Sequence, residues 1–450
     1  MNNANSPLTL GTESTTKLLK QYAVPAIIAM TASSLYNITD SIFIGHGVGP
    51  LALSGLAITF PLMNLAAAFG SLVGVGASTL LSIRMGQKDY KTANDILGNV
   101  FTLNLIMGIA FSIITILFLD PILTFFGATP DLLPYAHDFM VIILLGNVVT
   151  HMYLGLNAIL RSAGHPKKAM MATIYTVIIN LVLNPLFIFG FKWGIQGSAF
   201  ATVISQVVVL IWQLRLFNDK NFFIHWKKGI YRLRKKIVLD SLSIGMSPFL
   251  MNAASCLIVV LINRQLITHG GSLAVGAYGI VNRIAFLFIM IVMGLNQGMQ
   301  PIAGYNYGAK LYERVMAVFK KTILYATVIM LIGFTIVELF PHAVASIFTN
   351  ENNLIDMAVP GLRWTFLCFP LIGFQMVTSS FFQSIGKPIR AIILSLTRQL
   401  LFLVPLLLIL PNFWQTNGVW ISMTISDFLS VLLAIGLVWA EVTKFKQNRL

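Results

Sequence analysis

The sequence predicts an all-α polytopic membrane protein, with twelve transmembrane helices in two parallel six-helix repeats that form two lobes around a central cavity. Three observations favour this fold class. Of 450 residues, 57% are hydrophobic and only 10% are charged, whereas soluble domains have about 25% charged residues. Apolar stretches long enough to cross a bilayer recur along the whole chain. The third observation is that the second half repeats residues of the first at a constant spacing.

Twelve apolar stretches are the predicted spans, because a helix needs about 20 residues to cross the hydrocarbon core. They lie at residues 17–45, 51–83, 94–119, 132–160, 167–190, 194–217, 237–268, 273–306, 316–341, 354–384, 388–411 and 416–441. The predicted divisions are a polar N-terminal tail (1–16), an N-terminal lobe (17–217), a basic cytoplasmic linker (218–236), a C-terminal lobe (237–441) and a C-terminal tail (442–450). The first tail lacks the basic segment and short apolar core of a cleaved signal peptide.

Basic residues predict the orientation of the spans. Of the 30 lysine and arginine residues, 25 lie in or near the two tails and the loops after even-numbered spans. Only Lys192 and Arg264 lie in loops after odd-numbered spans. By the positive-inside rule, we expect a multi-pass protein of the cell (inner) membrane with both termini cytoplasmic. The net charge of +15 therefore reflects membrane topology and does not indicate a nucleic-acid partner.

The two halves are copies of one another. At a shift of 222 residues, Gly76-x9-Gly86-x-Lys88-x-Tyr90 recurs as Gly298-x9-Gly308-x-Lys310-x-Tyr312, and Ser162-x-Gly164-x-Pro166 recurs as Ser384-x-Gly386-x-Pro388. Six is an even number of spans, so both halves enter the membrane in the same sense. Their pseudo-twofold axis then runs along the membrane normal, which is typical of transporters with a substrate site between two lobes.

Span 1 contains an acid, Asp40, well inside its apolar stretch. A carboxylate at a helix centre costs about 2.5–3.5 kcal/mol on insertion scales, so a deep acid usually faces a cavity or a partner. Tyr36 and Asn37 precede Asp40 by about one helical turn, and Pro25 gives the same helix a place to bend. The alternative is that Asp40 lies at the lipid–water boundary and has no role.

Further polar residues recur at helical spacing. They are Thr150, Tyr153 and Asn157 in span 4, Asn180 and Asn184 in span 5, and Ser198, Thr202 and Gln206 in span 6. Such residues either line a cavity or hydrogen-bond between helices, and both roles stay open. In the second half, Asp427 of span 12 has Arg398 of span 11 as a candidate structural partner. Arg283 of span 8 either faces the cavity or pairs with an acid.

Four segments together resemble the multidrug and toxic compound extrusion (MATE) family. They are Pro25, Asp40 and Gly45 in span 1, Leu160-Arg-Ser-Ala-Gly-His-Pro166, Asn180-x3-Asn184-Pro185, and Gly197-Ser-Ala-Phe-Ala-Thr202. The resemblance covers nearly the whole chain and is greatest to prokaryotic members near the branch named for DNA-damage-inducible protein F.

The resemblance implies a secondary active multidrug efflux transporter that exports small organic, often cationic, compounds by antiport with H+ or Na+ through alternating access of its lobes. The implied residues are an ion-coupling set (Asp40, Asn180, Asn184, Thr202), at which Na+ is possible, a substrate-cavity set (Tyr36, Asn37, Tyr153, Asn157, Gln206) and a hinge (Pro25). Many relatives carry a second acid where this chain has Asn184. A hard cation favours carboxylate and carbonyl oxygens, so this departure favours H+ without excluding Na+.

Other classes of protein fit the sequence less well. It contains no P-loop, His-Glu-x-x-His, Gly-x-Ser-x-Gly or grouped cysteines, so we expect neither an enzyme nor a bound cofactor or resident metal. A lipid-linked sugar or lipid flippase of the same superfamily is the alternative, although such proteins often have more spans and more arginines in the cavity. The expected partners are the lipid bilayer and the small substrates, with the chain acting as a monomer.

Overall fold

The computed structural model describes residues 7–447, and this range is helical without a β-strand. The helices of the first half are α1 (Thr15–Gly47), α2 (Pro50–Gly86), α3 (Tyr90–Leu117), α4 (Leu119–Phe125), α5 (Leu133–Leu145), α6 (Asn147–Ser162), α7 (Pro166–Pro185) and α8 (Gly194–Asn218). Those of the second half are α9 (Lys235–Gly308), α10 (Tyr312–Leu339), α11 (Pro341–Ser346), α12 (Asn352–Leu367), α13 (Phe369–Ser384), α14 (Pro388–Leu396), α15 (Val404–Ile409) and α16 (Pro411–Gln447). Two π-helical turns, Leu186–Gly190 and Thr397–Leu403, follow α7 and α14.

The described helices account for twelve spans. Nine helical segments are long and apolar enough to cross a membrane, and two bent pairs, α5 with α6 (55°) and α12 with α13 (52°), provide two more. The twelfth arises because α9 contains two spans. Its 74 residues break at Gly271, whose φ of 71° lies in the left-handed region that glycine adopts without steric cost. The predicted fold class, an all-α polytopic membrane protein of twelve spans, is confirmed.

The internal repeat is also present in the backbone. Lys88 and Lys310, which are 222 residues apart, both have positive φ, at 62° and 60°. Gly76 and Gly298 both allow a helix to approach another backbone closely. A Cβ on Gly76 would lie 1.8 Å from a carbonyl oxygen of α9, and one on Gly298 would lie 2.5 Å from the backbone of α1. The repeated glycines therefore serve helix packing in both halves.

The chain forms two compact units that do not divide at a single point. The first contains Val24–Phe249, including the linker, together with Gly304–Lys310 and the described residues before Ser14. The second contains Leu250–Ala303, the residues from Leu311 onward and the start of α1, Ser14–Ala23. Helices α1 and α9 thus contribute residues to both units. Pro25 lies beside the change of unit in α1, and Pro248 lies beside the first of two changes in α9. A proline leaves a backbone carbonyl unpaired within a helix, and the hinge expected at Pro25 stays a prediction.

The described parts of the two predicted tails are ordered by specific contacts. Leu10 is fully buried and its carbonyl accepts a hydrogen bond from a side-chain amide at 3.0 Å. At the other end, α16 continues past the predicted end of span 12 at residue 441. Glu441, only 1% exposed, pairs there with Lys387 and Arg390, and Phe445 stacks on Tyr312 at 4.9 Å. Residues 1–6 and 448–450 of the predicted tails lie outside the described residues.

Candidate functional site

Helices α1, α7 and α8 bring the acid of span 1 together with the polar residues of spans 5 and 6. Asp40 lies near the end of α1 and is 8% exposed. The beginning of α8 lies close to the end of α7 because Gly197 has no side chain, and a Cβ there would lie 3.1 Å from Phe187. Ser198 of α8 and Asn184 of α7, both fully buried, are consequently positioned beside the Asp40 carboxylate.

The Asp40 carboxylate accepts two hydrogen bonds from neutral groups at the same oxygen. The Asn184 side-chain amide and the Ser198 hydroxyl both donate to Asp40 Oδ1. The Asn184 amide nitrogen also lies 3.4 Å from the Ser198 hydroxyl, so the three side chains form one compact group. This arrangement suits an ionised carboxylate, because hydrogen bonds to a charged group are about twice as strong as those between neutral groups.

A second set of hydrogen bonds extends this group along α8. The Asn180 amide donates to the Thr202 hydroxyl at 3.2 Å, and the Tyr36 and Thr202 hydroxyls are 2.7 Å apart. The Asn184 amide links the two sets through Asn180 Oδ1 at 3.5 Å. We call the six residues Tyr36, Asp40, Asn180, Asn184, Ser198 and Thr202 the Asp40 cluster. It contains all four residues of the ion-coupling set that the family resemblance implies.

The charge balance distinguishes Asp40 from Asp427, a buried acid of span 12. Asp427, 5% exposed, accepts a hydrogen bond from Arg398 Nε at 2.6 Å, which confirms the pairing expected from the sequence. Among the ion pairs of the described residues, none includes Asp40. A buried ion without a partner of opposite charge is strongly unfavourable. Asp40 is therefore an acid that a proton or a small cation stabilises.

The Asp40 cluster also contains an unused hydrogen-bond acceptor. Asn184 Oδ1 is buried and has no hydrogen-bond partner among the residues that the structure describes, although buried polar atoms usually have one. A protonated Asp40 becomes a donor and needs an acceptor of this kind. A hard cation instead requires several oxygen ligands, and the carboxylate, amide and hydroxyl oxygens of the cluster are of that type. The oxygen atoms of the Asp40 cluster are thus chemically suited to binding H+, and they are also possible ligands of Na+.

The substrate-cavity set implied by the resemblance does not form one group. Tyr36 joins the Asp40 cluster, whereas Asn37 is exposed and its amide donates to a carbonyl of its own helix. Asn157 is buried and donates to a threonine hydroxyl of α7 at 3.2 Å, and Gln206 accepts from a threonine hydroxyl of α6 at 2.5 Å. Tyr153 is buried against apolar side chains of α7 and α8. Contact of these residues with a substrate stays a prediction.

Pro25 of α1 and Ser198 of α8 differ in how the structure bears on them. Pro25 lies inside α1, which continues through it without interruption from Thr15 to Gly47. Ser198 was part of the polar stripe of span 6 but had no assigned role, whereas the structure makes it a direct donor to Asp40. The sequence feature that indicates this role of Ser198 is its position one helical turn before Thr202 and directly after Gly197.

Known proteins resemble the chain along almost its whole length. A family model described as MatE matches residues 25–186 and 244–409, one match in each repeat. The multidrug export protein MepA of Staphylococcus haemolyticus (strain JCSC1435) is 26% identical over 424 residues, which cover 94% of this chain and 93% of that protein.

Solved structures agree with this chain in fold. One of MATE in the bent conformation has a TM-score of 0.93 and 25% identity, and covers 98% of both chains. Another, of MATE in the straight conformation, has a TM-score of 0.92 and 26% identity, and covers 98% of this chain and 99% of that one. With its two family matches, its twelve spans and its shared motifs, the chain belongs to the MATE family of membrane transporters.

Proposed function

We propose that this transporter exports small organic, often cationic, compounds by antiport with H+ or Na+. A relative that is similar over 94% of the chain is a multidrug export protein. The observation that carries the coupling mechanism is the environment of Asp40, a buried acid that accepts hydrogen bonds from two neutral groups and has no ion pair among the described residues. Neutralisation by an incoming ion is the step that such an acid can provide.

Coupling requires that the ion bind two conformations of the transporter unequally. When Asp40 is ionised, its Oδ1 accepts from Asn184 and Ser198. When it is protonated it also donates, and the hydrogen bonds to it weaken because their acceptor loses its charge. The contacts that hold the end of α1 against α7 and α8 then change, and α1 bends at Pro25. Two solved relatives are described as MATE in a bent and in a straight conformation, which supports a transporter with more than one conformation.

The choice of ion depends on Asn184. With an amide at this position the Asp40 cluster has one carboxylate, which is sufficient to carry a proton. A Na+ site would have to combine that single carboxylate with neutral oxygens of Asn180, Asn184 and Thr202, a weaker set for a hard cation. We therefore favour H+ as the coupling ion. We further propose a monomer in the inner membrane, with both termini cytoplasmic and no cofactor.

The test is transport by the purified chain in proteoliposomes under separately imposed gradients. A pH gradient should drive uphill movement of ethidium, a fluorescent organic cation, and a Na+ gradient at equal pH should drive little. Transport driven only by Na+ would contradict the choice of ion. Translocation of a fluorescent lipid-linked sugar without any gradient-driven transport across a panel of organic cations would support a flippase and contradict the proposal.

A further inference from the structure

A cavity of about 530 Å³ lies between the beginning of α3 and the linker, away from the Asp40 cluster. Its lining residues from α3 are Tyr90, Lys91, Asn94 and Asp95, and those from the linker are Lys227, Lys228, Gly229, Ile230 and Arg234. All of them belong to the first compact unit. The cavity is therefore a property of this unit alone.

Specific hydrogen bonds from α3 hold the linker in place around this cavity. The Asn99 amide donates to the carbonyls of Ile230 and Arg232, at 3.4 and 3.2 Å, and Asn99 Oδ1 accepts the backbone N–H of Arg234 at 2.8 Å. One turn away, Asn94 Oδ1 accepts the backbone N–H of His225 at 3.2 Å. Backbone groups of the linker thus have fixed partners on α3, and the lining lysines project from an ordered segment.

The lining carries an excess of positive charge. Asp95, whose side chain is 7% exposed, pairs with Arg234 Nη1 at 2.8 Å, so these two charges offset one another. Lys91, Lys227 and Lys228 are exposed, and the described residues include no acid within ion-pair distance of them. Three lysines without an ion pair among the described residues therefore line one concave space. An anion would be attracted to it more strongly than to a flat surface with the same lysines, because a low-dielectric cleft concentrates the field.

Aromatic side chains pack where the linker meets α3, next in sequence to residues that line the cavity. The Trp226 and Tyr231 rings of the linker are stacked with their centroids 5.8 Å apart, and both contact Phe101 of α3. Tyr231 remains 45% exposed. Exposed Trp and Tyr rings are enriched at the level of lipid headgroups. The expected orientation places this level on the cytoplasmic side, where anionic lipids attract clusters of lysine and arginine beside a span.

We propose that the cavity between α3 and the linker binds a phosphate group, and that the headgroup of an anionic phospholipid supplies it. The lysines provide the charge, and the aromatic side chains place the site at headgroup depth. A bound headgroup would connect the linker to α3 and stabilise the first unit. The site is separate from the Asp40 cluster, so binding does not depend on the exported compound or on the coupling ion.

The test is binding of short-chain phosphatidylglycerol to the purified full chain in detergent, with short-chain phosphatidylcholine as the neutral lipid. The variant is Lys227→Gln with Lys228→Gln. Its control is Lys235→Gln with Lys236→Gln, which removes the same charge from exposed residues close by that do not line the cavity. We expect phosphatidylglycerol to bind more tightly than phosphatidylcholine. We also expect the Lys227 and Lys228 variant to bind it about 25-fold more weakly, since a surface lysine contributes about fivefold, while the control retains the wild-type affinity.

Three results would overturn the proposal. One is equal binding of the two lipids by the wild-type protein. A second is an equal loss of affinity in both double variants, which would indicate a diffuse surface effect and not a cavity. The third is binding of inorganic phosphate as tightly as phosphatidylglycerol, which would assign the site to a soluble phosphate. Binding is measured without an ion gradient, so failure here leaves the proposed export function untouched.

Discussion

If Asp40 carries the coupling proton, as proposed, the Ser198 hydroxyl should set the pH at which the transporter takes up that proton. Ser198→Ala removes one of the two donors to Asp40 Oδ1. A hydrogen bond to a charged group contributes about 1.5–3 kcal/mol, and this bond favours the ionised acid over the protonated one. Because about 1.4 kcal/mol corresponds to one pH unit, the variant should reach half-maximal transport at a pH higher by about 1–2 units.

The assay is ethidium transport in proteoliposomes over a range of pH on the proton-supplying side, with the gradient held constant. Ser205→Ala is the matched control. Ser205 is fully buried in the same helix, but its hydroxyl donates to the Thr202 backbone carbonyl at 2.8 Å. Its pH profile should coincide with that of the wild type. Identical profiles for Ser198→Ala and Ser205→Ala would refute the role of Ser198 as a donor to the coupling acid.

Three other substitutions test separate parts of the account. Gly76→Ala should lower the midpoint of thermal unfolding in detergent, because its Cβ would lie 1.8 Å from a backbone carbonyl oxygen. Gly279→Ala is the control: a Cβ there would have no described atom within 4 Å, so the midpoint should not fall. Equal effects of the two substitutions would contradict the packing role of Gly76. Glu441→Gln should destabilise the protein by about 1.5–3 kcal/mol, because two partly exposed cations lose a charged hydrogen-bond acceptor. An effect no larger than that of exposed Glu351→Gln would argue against this. Asn184→Asp should add a second carboxylate ligand and let a Na+ gradient drive transport; an unchanged response to Na+ would contradict the ion assignment.

The family resemblance implied that Asp40 of span 1 lies with Asn180, Asn184 and Thr202 of spans 5 and 6, and helical spacing alone indicated only which residues share a face within one span. Asn180 and Asn184 are one turn apart, as are Ser198 and Thr202. This spacing places each pair on one face of its helix, and the acid of span 1 is the charge that such a face can accommodate. The assignment of roles was less complete, since the sequence does not show that Ser198 reaches the carboxylate.

Other features depend on contacts between residues that are far apart in sequence. Glu441 pairs with cations that precede it by more than 50 residues, so the sequence alone gave no reason for α16 to continue past residue 441. Asn37 lies next to Tyr36, but one residue is about 100° of rotation on a helix. The Asn37 side chain is consequently exposed, whereas Tyr36 faces α8.

The linker illustrates the same limit. Its lysines and arginines predicted a cytoplasmic segment from their number alone. Its ordered path along α3 arises from hydrogen bonds between Asn99 and three linker backbone groups more than 130 residues away. Bonds to backbone atoms leave no pattern in the linker's own side chains, so the cavity could not be predicted from the sequence.

Proton coupling through Asp40 is tested by uphill ethidium transport driven by a pH gradient in proteoliposomes containing Asp40→Asn. Asp138→Asn, the same substitution at an exposed acid of the same unit, is the control. If Asp40 carries the coupling proton, the Asp40 variant should fold and bind ethidium but show no uphill transport, while the Asp138 variant should transport at the wild-type rate. Uphill transport by Asp40→Asn at a near wild-type rate would contradict the account.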